Sequence, residues 1–180
     1  MDDLSQTILI NLRQNNFLKD VTFLLEDLEI VANRSLLAAS YPYFERMLFG
    51  NTNEANQKRI ELRSTCKEAF QKVIEFINKG QCDLQNMRER RIINLIRLAH
   101  EYQFDELLSY LKSKINVSSY SVRFCTEFFD FATLANCNYW KNSCLINVEK
   151  WFISEVNSEL FATFSRHLVG HLTARHIPSP

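Results

Sequence analysis

Leu4, Ile8 and Leu12 recur every four residues ahead of the polar run Arg13-Gln14-Asn15-Asn16, which predicts a helix with one apolar stripe. Val21, Phe23 and Leu25 then share one face of an extended segment. Leu28, Ile30 and Ala32 repeat that alternation beyond Glu26-Asp27, the pattern of a β-hairpin. Asn33 is placed to cap the short helix that follows, because its side chain accepts from the freed amides of a first helical turn. Pro42 stands where a second helix starts and a missing amide donor costs nothing. Gly50 is expected to supply the left-handed residue that ends it. Residues 33–49 therefore read as a tight helical pair.

Lys58 to Leu62 is a third strand candidate, and Thr65 with Glu68 has the spacing of a capping box. Phe70, Val73, Ile74 and Ile77 fall at helical spacing, with Gly80 closing that helix. Ile92, Leu95, Ile96 and Ala99 repeat the pattern, as do Phe104, Leu107, Leu108, Leu111 and Ile115. After the polar stretch NVSSYS the remainder reads as helix: Val122, Cys125, Phe129 and Ala132, then Cys144, Val148, Trp151 and Phe152, then two short helices in 157–173. The pattern predicts an α+β chain, mostly α, in two modules, 1–116 and 117–180.

Three glycines and three prolines in 180 residues imply short loops, and no Gly-rich turn follows a strand to cradle a phosphate. Lys plus Arg equals Asp plus Glu at 21 each, with 16 of each sign in residues 1–116 and five of each beyond. A chain so evenly balanced has no electrostatic footprint for nucleic acid. Arg88, Arg90 and Arg91 are interrupted by Glu89 and lead into an apolar helix, so they read as a solvated helix start. No apolar run approaches the length that spans a bilayer, and no membrane partner is expected. The acidic opening MDDLSQTILINL, without a small-residue cleavage site, reads as neither signal nor transit peptide. Cys66, Cys82, Cys125, Cys137 and Cys144 are odd in number and form no CxxC pair, which predicts reduced thiols in a cytoplasmic or nuclear protein.

Chemistry-bearing clusters are sparse. His167 and His171 share a helix face four residues apart, with His176 in the tail, but no third or fourth zinc ligand lies near in sequence, so no metal is expected. Cys125 and Cys144 fall on apolar helix faces, where cysteine acts as a small hydrophobe rather than a nucleophile. Phe124, Phe128, Phe129, Phe131, Tyr139, Trp140, Trp151 and Phe152 could imitate a base-stacking platform, yet only Arg123, Lys141 and Lys150 accompany them. A two-layer core is the expectation. Neither an enzyme nor a cofactor is indicated.

The stretch 20–49 resembles the BTB (POZ) domain. Asp20-Val21-Thr22-Phe23, Ala32-x-Arg34, Leu37-Ala38-Ala39 and Pro42-Tyr43-Phe44-x-x-Met47 match that family in order and spacing. The likeness continues through Ile60-x-Leu62, Phe70 to Ile77 with Gly80, and Leu98-Ala99-His100-x-Tyr102-x-Phe104. Beyond 117, Phe131-Ala132, Asn136-Cys137, Trp140, Cys144, Phe152-Ile153 and Ser165-x-x-Leu168 are similar to the first part of a BACK domain, whose abrupt end at 180 suggests a fragment.

The resemblance implies a small sheet flanked by helices, followed by an all-α BACK region. It also implies a homodimer in which the leading helix packs on its twin through Leu4, Ile8 and Leu12; the alternative is that this stripe folds back on its own domain. Many members are substrate adaptors that bind cullin-3 through a hydrophobic-x-Glu motif, here Thr52-Asn53-Glu54. Thr52 replaces the bulky apolar residue, and a lost methionine-sized contact is worth about 1.5–3 kcal/mol, or roughly one to two decades of affinity. The competing expectation is a scaffold or oligomerisation module in transcription that works without a cullin. The recruited substrate protein is not identified by any reader domain in the chain. Asp20 and Arg34 match a charged pair that lines the groove of some nuclear members, and a buried ion pair orienting the hairpin is the other reading. Asn33 replaces the family's usual His, and Asp27 sits in a turn where Gly is common; both tolerate such geometry.

Overall fold

The structure is a computed structural model and describes residues 3–176; the end of the predicted tail, 177–180, lies outside the described residues. The chain divides into two compact units, Met1–Tyr110 and Leu111–Pro180.

The first unit opens with α1 (Asp3–Gln14) and a 3-10 turn at Asn16–Leu18, then β1 (Val21–Leu25) and β2 (Leu28–Ala32). After α2 (Arg34–Ser40), α3 (Pro42–Phe49) and a 3-10 turn at Glu54–Asn56 comes β3 (Arg59–Glu61), followed by α4 (Lys67–Lys79) and α5 (Glu89–Glu101). The division between the units falls inside α6 (Asp105–Lys114).

The sheet runs β2-β1-β3, with β1 antiparallel to β2 and parallel to β3. Alternation along β1 turns Val21, Phe23 and Leu25 inward, and all three are buried. Phe23 meets Phe70 at 5.0 Å between ring centroids and Phe44 at 6.2 Å, and Phe44 stacks on Phe104 at 5.5 Å. This four-ring cluster joins the sheet to α3, α4 and the start of α6. Truncating one such ring to alanine costs about 3–5 kcal/mol.

Local chemistry explains most element ends. Asn33 caps α2, its side chain accepting from Leu36 N at 2.7 Å, while Pro42 is the first residue of α3. Gly80 closes α4 at φ 70°, as its position predicts. Two expectations fail. Gly50 is extended at φ −78° and ψ −174°, not left-handed. Glycine is needed there because a Cβ would stand 2.2 Å from the Arg46 carbonyl oxygen. The Thr65–Glu68 capping box does not form either. Cys66 is the N-cap of α4 without a side-chain cap bond, and Glu68 turns instead to the Cys66 thiol at 3.3 Å and to Arg91 at 3.0 Å.

In the hairpin, Glu26 rather than Asp27 takes the positive φ, at 52°. Helix α5 ends without glycine: Gln103 is left-handed at φ 58°, Phe104 N donates to Ala99 O at 2.8 Å, and Gln103 N donates to His100 O at 3.2 Å. This double closure satisfies two otherwise orphaned carbonyls.

The second unit contains α7 (Val122–Leu134), α8 (Asn138–Glu155), α9 (Ser158–Phe161) and α10 (Arg166–His176). Val122, Cys125, Phe129 and Ala132 are buried on α7, as are Trp140, Cys144 and Val148 on α8. The aromatic core is narrower than expected. Phe124, Phe128 and Phe129 are buried, but Tyr139 and Phe152 are exposed and Trp151 is half-buried. Apolar residues occur on several sides of α8, Ile146 among the exposed ones, so one packed stripe cannot bury them all. Ser165 caps α10 by accepting from Leu168 N at 3.1 Å and donates to Asp130 Oδ1 at 2.5 Å, tying α10 to α7.

Candidate interaction surface

On α1 the apolar stripe is open. Leu4 is 68% exposed and Ile8 51%, and Leu12 is half-buried; Ile10, on another face of the helix, is also exposed. Folding back onto its own domain is therefore not what Leu4 and Ile8 do. Phe17, in the turn that follows, is 98% exposed, and Phe49 at the end of α3 is 58% exposed. Neither was singled out from sequence, because an isolated aromatic side chain makes no period.

Thr52 and Glu54 lie in the loop between α3 and β3, Thr52 exposed and Glu54 half-buried. The Thr52 hydroxyl donates to Met47 O at 2.9 Å and accepts from Ala55 N at 3.3 Å. It thereby occupies an orphan carbonyl of α3 and starts the 3-10 turn that carries Glu54. Close by, Tyr43 stacks on Tyr102 with centroids 3.9 Å apart and planes 12° apart. Burial pushes the Tyr43 phenol well up, with the hydrogen bond to Tyr102 and the charges of Glu101 and Glu54 adding to it. Burial likewise pushes Tyr41 up to about 12. Both phenols remain neutral donors at any physiological pH.

Asp20 and Arg34 do not form the buried ion pair considered from sequence. Asp20 is exposed, and its Oδ1 accepts the backbone N–H of Arg34 at 2.8 Å. The guanidinium points elsewhere: Nη1 donates to Leu48 O at 2.9 Å and to Ala55 O at 2.8 Å, and Nη2 donates to Gln57 O. The charged ends separate because three backbone carbonyls take both Nη1 hydrogens and one on Nη2.

In the second unit His167 is exposed, and His171 meets Phe129 edge-on at 5.7 Å. Cys125 and Cys144 are both fully buried, and Asn147 Nδ2 donates to Cys125 Sγ at 3.0 Å. The hydrogen bond to Cys125, with burial second, pushes the Cys144 thiol far up. Such a thiol is held as packing material.

Residues 9–119 match the model of the BTB/POZ domain family. Human BTB/POZ domain-containing protein 9 is 28% identical over 161 residues, 87% of this chain and 26% of that protein. Human Kelch-like protein 2 is 27% identical over 158 residues, 86% of this chain and 25% of that protein. The chain thus spans about a quarter of the length of these curated relatives. Among solved structures, the BTB domain of human gigaxonin superposes with a TM-score of 0.51 at 20% identity, covering 64% of this chain and 94% of that one.

Proposed function

This chain belongs to the BTB/POZ domain family, a protein-interaction fold, and from that premise we propose that it is a homodimeric adaptor arm of a cullin-3 RING ubiquitin ligase. The open stripe of α1 is the observation that carries the reading. Two large apolar side chains of that stripe, Leu4 and Ile8, stand at least half exposed one turn apart. Hiding each is worth about 1.5–3 kcal/mol, and a second copy presenting the same stripe supplies the cover through a two-fold, self-complementary contact. Glu54, on its ordered turn, supports the loop as the cullin-docking element. The helical unit from 117 onward is proposed as the start of a BACK module, and five cysteines held as thiols rather than disulfides favour a cytoplasmic or nuclear location.

Sedimentation of the wild-type chain beside a Leu4→Glu/Ile8→Glu variant tests the dimer. A wild type of twice the variant's mass, with equal helix content, is expected; a monomeric wild type removes the reading. Titration with the cullin-3 N-terminal region tests the ligase role, which fails if no complex forms at concentrations on the order of tens of micromolar.

A second reading, a cullin-free scaffold or oligomerisation module in transcription, is favoured by Thr52, whose hydroxyl is spent on the loop's own backbone. Thr52→Met separates the two. A gain of roughly one to two decades in cullin affinity identifies the loop as the contact, and an unchanged affinity moves the contact elsewhere.

A further inference from the structure

We infer that Arg34 is a positioning residue for the Thr52–Glu54 loop, a latch that fixes the loop's shape from inside. Its three acceptors lie on both sides of the segment. Leu48 O belongs to the last turn of α3, whereas Ala55 O and Gln57 O come after Glu54, at the end of the 3-10 turn. One planar group thus staples the entry of the loop to its exit.

The site suits arginine on two counts. Carbonyls at the end of α3 have no partner within the helix and carry its partial negative charge, so a cation is favoured there. A rigid fork can also serve acceptors in several directions at once, which the single ammonium of lysine cannot do with the same geometry. The fork itself is aimed by its own backbone: Arg34 N is held by Asp20 Oδ1 at 2.8 Å, and next to it Asn33 Nδ2 donates to Leu18 O at 2.6 Å. Asp20 therefore acts through Arg34, and Arg34 acts on the loop.

Within the loop the remaining ties are local. Ala55 N donates to Thr52 O at 3.3 Å and Gln57 N donates to Glu54 O at 3.0 Å. These hold the turn together, and the Thr52 hydroxyl ties its start to Met47 O of α3 at 2.9 Å. The guanidinium is the group that joins α3 to the residues after Glu54. Both Nη1 hydrogens and one on Nη2 are taken by these backbone oxygens, so the guanidinium is committed to the loop's own backbone.

Hydrogen exchange of the full chain, read on residues 50–58 against the buried amides of α4 and α5, tests the latch. In Arg34→Met the loop amides are expected to exchange about tenfold faster or more relative to those of α4 and α5. Arg34→Lys keeps the charge, guards against a variant that fails to fold, and should still leave the loop faster than wild type. Equal acceleration of loop and core, or none in the loop, overturns the inference.

Its consequence for binding rests on the cullin-docking reading above. Where wild type binds the cullin-3 N-terminal region, both Glu54→Gln and Arg34→Met should weaken it, but only Arg34→Met should loosen the loop. Loosening without loss of affinity overturns the positioning role. Loosening in a chain whose wild type binds no cullin keeps the latch and removes the ligase.

Discussion

Lys67 Nζ lies 2.5 Å from Asp27 Oδ1 and 3.4 Å from Glu26 Oε2, so the first residue of α4 closes over the turn between β1 and β2. The hydrogen bond from Lys67, then one from its own backbone, holds the Asp27 carboxyl below its ordinary 3.8. The bond to Asp27 holds Lys67 above its ordinary 10.5. Asp27's contribution is complete above pH 3.8 and is lost as pH falls through its lower folded value. That of Lys67 is complete below 10.5 and is lost as pH rises through its higher one. A carbon-detected NMR titration should find the Asp27 midpoint below 3.8 in wild type and higher in Lys67→Met. The difference should shrink at about 1 M salt, as a surface pair requires. Identical midpoints in the two proteins would refute the clamp.

Glu26 occupies a positive φ of 52° without being glycine. A left-handed backbone costs a residue with a Cβ about 1 kcal/mol, more than its long contact with Lys67 returns at the surface. Glu26→Gly should therefore raise stability by about 0.5–1 kcal/mol. Urea unfolding checks this: the midpoint should rise at constant slope.

Two glycines should respond oppositely to alanine. At Gly50 the new Cβ would meet Arg46 O at 2.2 Å, so Gly50→Ala should destabilise the first unit. Forced repacking of that kind costs about 1–3 kcal/mol. Gly170, inside α10, has open space around its missing Cβ. Gly170→Ala should gain up to about 1 kcal/mol from helix propensity. Melting curves of the two variants beside wild type decide the matter, and equal shifts in one direction would contradict the geometry.

Thiol accessibility should sort the cysteines. Cys66 and Cys137 are half-buried, whereas Cys82, Cys125 and Cys144 are buried. Burial pushes Cys82 to about 11, and the Cys144 thiol is higher still. A disulfide-exchange reagent should label Cys66 and Cys137 in the folded chain and reach the other three only on unfolding. Fast labelling of Cys144 in the native state would show that the second unit opens.

What the sequence made legible was local. Asn33, Pro42 and Gly80 act within four residues of their own positions, and the stripe from Phe70 to Ile77 is buried as its spacing predicts. The failures involve partners brought in from a distance. Arg34 finds carbonyls 14, 21 and 23 residues away, an arrangement with no side-chain signature. Glu68 leaves the capping role for Arg91 on the next helix. At Gly50 the reason for glycine is steric rather than conformational, and composition looks the same for both. Of the surface residues, Leu4 and Ile8 were visible as a stripe with nothing ahead of it to cover. Phe17 was not, since one aromatic residue makes no period.

The parallel partnership of β1 with β3 has a consequence for how the polypeptide is made. Phe23 must wait for Ile60, which emerges thirty-seven residues later, behind both helices of the α2–α3 pair. At a synthesis rate of ~5–20 residues per second, that delay is about 2–7 s. Throughout it the nascent hairpin has only two strands, marginal by itself in water, and presents an unmated border to any neighbouring chain on the same message. Birth, rather than maturity, is when this molecule is most exposed to mispairing.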